Sequence, residues 1–554
     1  MAAAVATACA GFGAPALALE FDTGNPDLTV RWDNTVRGNY AVRVESRDNK
    51  IGNSALADEG TWSFDRGDAV ASRIDLLSEL DVVYRKRFGA RISAAAWYDA
   101  AYGDESRTNP NLPFRNIPSY VNRQYSDYTQ RLYQGPSGEI LDAFVFAGFE
   151  VAEAPTQVKL GRHSIYWGES LFLGGNLNGI AYAQNPLDLQ KGFATVGVEA
   201  KELFRPLNQI SAQSQVTNDL SIAVQYLFEW ESFRYPEGGT YLGPVDFAFN
   251  GPHRQFLPAP FNTFASRGNP AEPNQSGEWG LAARWSPAWL DGTLGLYYRN
   301  FADKLPQTFI TQAPPLGAPR YNLIYADDID LLGISLAKNI AGVSVGAELS
   351  YRHNTPLNSQ VLGVALGLPE EGETKGPRGN TYHALINGLG VLAKTPVFDA
   401  ATYAAELTWS HWSSVSSGAN LFQAVGYGGC RRAGGGPATG DKWDGCATKS
   451  FVGLALAFTP TWYQVFPGVD LQAPLTYARG LSGNAATIFG GNESNGNYSV
   501  GIGADIFQKY RVDLKYIDYY GKYKDNGVAV TAQNGFTTLL KDRGFVSLTA
   551  KVTF

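Results

Sequence analysis

The chain is 554 residues long, 44% hydrophobic and only 18% charged, with a formal net charge of -7. That balance offers no basic surface to neutralise a phosphate backbone and excludes nucleic acid as a partner. Its 61 Gly, 29 Tyr, 30 Phe and 12 Trp suit strands and turns better than helices.

Residues 1–18 are almost wholly small or apolar and end in Ala16-Leu17-Ala18, a signal-peptidase pattern, so they read as a signal peptide. Residues 19–27 follow as a periplasmic N-terminal segment, and the barrel is assigned to 28–554. No later stretch reaches the roughly 18 consecutive apolar residues of a transmembrane helix. A membrane span in the mature chain is therefore β, since only helices and closed barrels satisfy their own backbone in lipid.

From Leu28 to Val44, apolar side chains at even positions alternate with Arg31, Asp33, Arg37 and Arg43 at odd ones. Roughly seventeen residues of period-2 alternation exceed the usual strand of about five or six and fit a tilted membrane strand. The same pattern recurs in hairpins centred on Arg85–Gly89, Glu153–Thr156, Thr217–Asp219, Ser286–Pro287, Lys338–Asn339, Thr395–Pro396, Thr459–Pro460 and Gln508–Lys509. Between them lie long polar stretches, among them 168–208, 231–277 and 413–447. The expected fold is an all-β, transmembrane, antiparallel up-and-down β-barrel of about 18 strands, with 16 as the alternative count, short periplasmic turns and long extracellular loops. Aromatics near strand ends, including Tyr84, Phe88, Tyr98, Tyr102, Trp230, Trp279, Trp285, Trp409 and Tyr519, are assigned to two interfacial girdles.

Alternation sends Arg31, Asp33, Arg37, Asp75, Glu79, Asp81, Arg91, Asp99, Glu348, Arg352 and Glu406 into the lumen. Arg or Lys facing lipid costs about 2–4 kcal/mol at mid-bilayer, so these charges must line a wet or paired interior. They guide a solute or pair across the wall. By analogy with porins the third long loop is expected to fold inward as a constriction, carrying Arg162, His163, Trp167, Glu169, Asn185 and Asp188, with an ordinary surface loop as the alternative. Cys430 and Cys446 bracket one loop and are expected to pair in an oxidising envelope. The five His are scattered without ligand spacing, which gives no metal site, and no cofactor is expected. The last strand alternates Val546, Leu548, Ala550, Val552 and Phe554, resembling the C-terminal signature that the barrel-assembly machinery reads.

Phe21–Pro26, Leu76–Leu80, Ala96–Asp99, Gly161–His163 through Trp167–Glu169, Asn185–Asp188 and Tyr351–Asn354 together resemble a family of proteobacterial envelope proteins catalogued as domain of unknown function 1302. The resemblance implies an outer-membrane barrel often encoded beside a periplasmic lipoprotein-like partner and an exporter of the resistance-nodulation-division type. It implies hydrophobic or lipid-like cargo and supplies no catalytic residues. The expected function is thus a channel or facilitator, and not an enzyme, in the outer membrane of a Gram-negative bacterium. Its cargo is a small amphipathic or hydrophobic compound or an envelope lipid. The alternatives are a barrel-wall lipid hydrolase and a surface receptor or adhesin.

Overall fold

A computed structural model describes residues 19–554 except 113–117, 258–262, 361–362, 371–372, 374, 433–438, 526–529 and 531–537. The signal peptide assigned to 1–18 lies outside the described residues. Eighteen antiparallel strands close into one barrel. The first six are β1 (Leu28–Arg43), β2 (Ala69–Tyr84), β3 (Phe88–Asp99), β4 (Ser137–Val151), β5 (Ala154–His163) and β6 (Leu207–Gln215). Then come β7 (Leu220–Leu227), β8 (Trp279–Trp285), β9 (Gly292–Phe301), β10 (Ile329–Ile340), β11 (Val343–Pro356) and β12 (Arg378–Leu392). The remainder are β13 (Ala400–Ser417), β14 (Ser450–Phe466), β15 (Val469–Gln472 continued by Leu475–Ser482), β16 (Gly496–Ile506), β17 (Tyr510–Tyr520) and β18 (Phe545–Thr553). Closure is made by β18 on β1, from Phe545 opposite Arg43 to Thr553 opposite Thr35.

The short turns sit at one end of the barrel and the long connections at the other. At Ala152-Glu153 and Ala341-Gly342 both turn residues have positive φ, as a two-residue type I′ hairpin requires. Two expected turns move. The chain turns at 341–342 rather than at Lys338-Asn339, and Asn339 Oδ1 accepts from Gly342 N at 3.0 Å instead of standing in the turn itself. Thr459-Pro460 lies within β14, which runs on to Phe466 before turning at 467–468. Pro460 is tolerated there because Ala473-Pro474 interrupts β15 beside it, so the missing donor meets a gap in the ladder.

Trp32, Tyr40, Ile74, Leu76, Ile92 and Tyr98 are exposed on the outside, while Arg37, Asn39, Asp75, Glu79 and Ser93 are buried inside. Tyr84, Phe88, Trp285, Trp289, Phe466 and Phe507 form an exposed aromatic band at the turn end, and Tyr98, Tyr226, Trp279 and Tyr382 form one toward the loop end. Trp279 and Trp285 cap the two ends of β8, six residue steps or about 20 Å apart, close to the height of a lipid-facing belt. Tyr102, Trp230 and Tyr519 do not join these bands. Tyr102 and Trp230 lie beyond the ends of β3 and β7 and pack in the loops, Trp230 edge-on to Tyr325 at 4.8 Å. Tyr519 has the inward parity of β17 and is buried.

Three loops contribute to a second, five-stranded sheet over the loop end, in the spatial order Gly363–Val364, Gln307–Gln312, Arg320–Ile324, Thr263–Arg267, Arg254–Leu257. A disulfide joins Cys430 to Cys446 in the β13–β14 connection, as the sequence leads one to expect.

Candidate functional site

The connection from β5 to β6, residues 164–206, does not stay outside: it crosses the lumen. Gly161, near the end of β5, has φ +119 and lies so close to the backbone of β4 that a Cβ would stand 2.4 Å from Ala143 O. Only glycine fits that approach. His163 then turns inward, its Nε2 2.7 Å from Ser211 Oγ and its ring against Phe144. Arg162 does not join the constriction. It shares the outward parity of Leu160, and its guanidinium donates to Glu229 and Glu231 at 2.8 and 3.0 Å on the rim. Glu229 reaches it because β7 ends at Leu227 and the inward-outward alternation ends there too.

Asn185 fastens the base of the crossing segment by accepting from Ile165 N at 3.3 Å and donating to Ile165 O at 2.5 Å. Beyond this clasp, three wall glycines receive it. A Cβ would stand 2.8 Å from the Trp167 ring at Gly280, 2.7 Å from Ile180 Cγ1 at Gly333, and 2.9 Å from Glu169 Cβ at Gly346. Glycine inside a strand often marks such a close approach.

The short helix α1 (Leu173–Asn178) is gripped at both ends by the wall. At its start, the Glu406 carboxylate accepts from Leu171 N, Phe172 N and Gly175 N at 2.7, 3.3 and 3.1 Å. At its end, Arg352 donates to Leu177 O and Gly179 O at 3.3 and 2.9 Å. Arg299 donates to Ile180 O and Tyr182 O at 3.1 and 2.7 Å. Glu348 accepts from Ile180 N at 2.7 Å and also from Glu169 N. Anion at the amino end and cation at the carboxyl end is the arrangement that the peptide dipoles favour, and charged partners make these hydrogen bonds stronger than neutral ones.

The rest of the loop is tied to the opposite wall. Asp188 caps α2 (Leu189–Ala194) through Lys191 N at 2.9 Å and pairs with Arg234 at 3.1 Å, which also reaches Glu139 of β4 at 2.8 Å. Glu202, in the single turn Ala200–Leu203, holds Arg37 at 2.9 and 3.1 Å, and its neighbour Lys201 contacts Glu79. Arg234 belongs to the following long loop, which runs alongside and gives Arg234 N to Leu187 O at 2.9 Å. Ile180, Tyr182, Leu187, Phe233 and Tyr235 from the two loops pack with Trp97, Tyr297, Phe301 and Leu331 of the wall into one core.

All eleven lumen positions read from the sequence have the inward parity of their strands. Toward the turn end they pair with each other and remain partly exposed, Arg31 with Asp33 at 2.7 Å and Arg91 with Asp81 at 2.6 Å. Farther in, Asp75 lies 2.9 Å from Arg73 and 3.6 Å from Arg37, and Asp99 accepts from Ser72 N and Ala101 N to fix the end of β3. Arg37, Glu79, Glu348, Arg352 and Glu406 serve as anchors for the crossing loop. The lumen is thus a packed core at the loop end and a partly exposed, charged vestibule at the turn end. Glu202, Arg234 and the three receiving glycines are participants that sequence alone did not single out, although glycines at inward parity of apolar strands were the available signal. Among the described residues no three His, Cys, Asp or Glu side chains are placed to hold a metal.

The family model described as "Protein of unknown function (DUF1302)" matches residues 1–554. The chain belongs to this family. The DUF1302 chain has no match among curated proteins. Among solved structures it is similar to OccAB4 of Acinetobacter baumannii, with 10% identity, 96% of this chain and 100% of that one covered, and a TM-score of 0.41. It is also similar to the outer membrane channel DcaP of Acinetobacter baumannii (10% identity, 96% and 99% covered, TM-score 0.36) and to Pseudomonas aeruginosa OpdK with vanillate (9%, 95% and 98%, 0.38). The barrel of this DUF1302 member is closed by its own strand pairing, last strand on first.

Proposed function

We propose that the protein is a plugged conduit in the outer membrane of a Gram-negative bacterium, passing a small amphipathic or hydrophobic compound or an envelope lipid. The observation that supports this reading is the crossing loop, anchored by Glu348, Arg352 and Glu406 above a charged vestibule. A wall built only for strength has no use for a separate segment docked on three glycines. The long loops face outside the cell and the short turns the periplasm, where a lipoprotein-like partner and an exporter meet the vestibule, and the strand ending at Phe554 is presented to the assembly machinery. Transport follows displacement of the segment, after which the inward charges select what enters.

Planar-bilayer recordings test this. The wild-type barrel is expected to conduct weakly or in brief openings, and removal of residues 171–184 to raise single-channel conductance several-fold. A folded deletion variant with unchanged conductance overturns the reading.

A further inference from the structure

The five-stranded sheet over the loop end carries a pocket of about 400 Å³ that the plug does not use. Arg267, Asn269, Thr311, Gln312, Arg320 and Leu368 line it. Arg267 and Arg320 come from neighbouring parallel strands, Arg320 opposite Ser266 and Tyr321 opposite Arg267. A third cation joins them, since Lys375 Nζ lies 3.9 Å from where a Cβ of the lining residue Gly367 would stand. Arg320 and Lys375 have no ion-pair partner among the described residues, whereas Arg37 and Arg234 at the plug are matched by carboxylates, and the charge of Arg267 acts on the buried Glu237. Arg267 is held in place by donating from Nε to Pro252 O at 2.7 Å.

From this cationic pocket runs an apolar stripe. The segment 363–368 continues along Gln307–Gln312, with Ala365 N bonded to Ile310 O at 3.0 Å and Gly367 N to Thr311 O at 2.9 Å. Val364 and Leu366 follow one another along this edge, and a bend at Gly367, whose φ is +80, brings the chain to Leu368 at the pocket; the three are 58%, 48% and 53% exposed. Positive charge at one end and a narrow apolar strip leading away match a molecule with an anionic head and a hydrocarbon tail.

We infer that Arg267, Arg320 and Lys375, with the Val364–Leu366–Leu368 stripe, form an external capture site for an amphipathic anion, a carboxylate or phosphate on an apolar body. The inference deepens the conduit reading, because it places the cargo class at the outer mouth. A free fatty-acid-type carboxylate and the phosphate of a surface glycolipid present the same chemistry.

The test is binding to full-length protein in nanodiscs free of lipopolysaccharide, using dodecanoate, purified lipopolysaccharide, and dodecyltrimethylammonium as the charge-reversed probe. Wild type is expected to bind one or both anionic probes and to bind the cationic probe at least tenfold more weakly. Arg320→Glu and Lys375→Glu, both away from the plug, are expected to weaken anion binding at least tenfold with conductance unchanged. Dodecanoate binding alone marks a diffusible cargo, and lipopolysaccharide binding alone marks a membrane lipid. Equal affinity in wild type and both variants, or no preference for anions, overturns the inference. A barrel that conducts without this binding leaves the conduit standing, while one that binds and never conducts removes the conduit alone.

Discussion

Among single residues, Glu406 carries the sharpest consequence. Its carboxylate receives three backbone N–H groups of the crossing segment and Nδ2 of Asn387 at 3.2 Å, and it is 1% exposed. Glu406→Ala strips those donors of their acceptor in a site with no room for bulk water. Each buried group left unpaired costs about 1–3 kcal/mol. That penalty falls on the loop, whereas β13 keeps its ladder to β12 and β14. Glu406→Ala is therefore expected to raise open probability severalfold in bilayer recordings while the barrel's melting temperature moves by only a few degrees. A variant as quiet as wild type would show that the segment is held elsewhere. Gly333→Leu approaches the same state from the other side, because its side chain would occupy the place of Ile180.

Among the elements, the loop cap holds a group of acids apart from the plug. Asp246 accepts from Asp58 N and Glu59 N at 3.0 and 3.1 Å, capping the turn Glu59–Trp62, while Glu59 accepts from Ser119 N and Oγ. Burial pushes Asp58 up to about 7 and, with the neighbouring Asp58 charge, Glu59 up to about 8; Asp246 is raised well above the carboxylate range by burial and then by both neighbours. Arg254 faces Glu59, and Arg543 faces Asp246, as partial compensation. Raised carboxyl values mean that the folded cap prefers these groups protonated. Its contribution to stability is full below an unfolded value of about 4 and is lost as pH rises through about 7 to 8. Protease cleavage within 44–68 is expected to accelerate between pH 6 and pH 9, and Asp246→Asn to flatten that rise. A rate indifferent to pH would remove the acids from any role in cap closure. The wall was legible in the sequence, since strands bury one face and expose the other over many residues, and parity alone fixed the direction of Glu348, Arg352 and Glu406. The partners were not legible: nothing local distinguishes Glu406, which holds residues 231 to 235 positions away, from Asp81, which pairs with the adjacent Arg91. The strand-end reading also failed where β7 stopped, at Trp230, and turn chemistry misled at Asn339, whose side chain supports a turn built from Ala341 and Gly342.

For the whole molecule, integrity depends on closing the ladder between its first and last strands. β18 covers β1 from Arg43 to Thr35, and Phe554 extends the pairing, its N–H and C=O bonded to Asn34 at 2.9 and 2.8 Å. Below that point Leu19–Phe21 continues along the same edge, opposite Trp32 to Val30. No length of β1 from Val30 to Arg43 is therefore left with bare amides facing lipid, where exposed backbone groups cost several kcal/mol each. The ring of Phe554 is separate from this, being exposed on the barrel surface. Phe554→Ala retains both backbone bonds and removes only the ring, so the purified variant is expected to keep wild-type heat resistance of its folded band on gels. Deleting Phe554 also takes away the partners of Asn34 and is expected to lower that heat resistance. If the assembly machinery reads the ring, both variants should reach the outer membrane at a small fraction of the wild-type amount. Normal membrane levels of Phe554→Ala would mean that the backbone of β18, not its terminal aromatic, carries the signal.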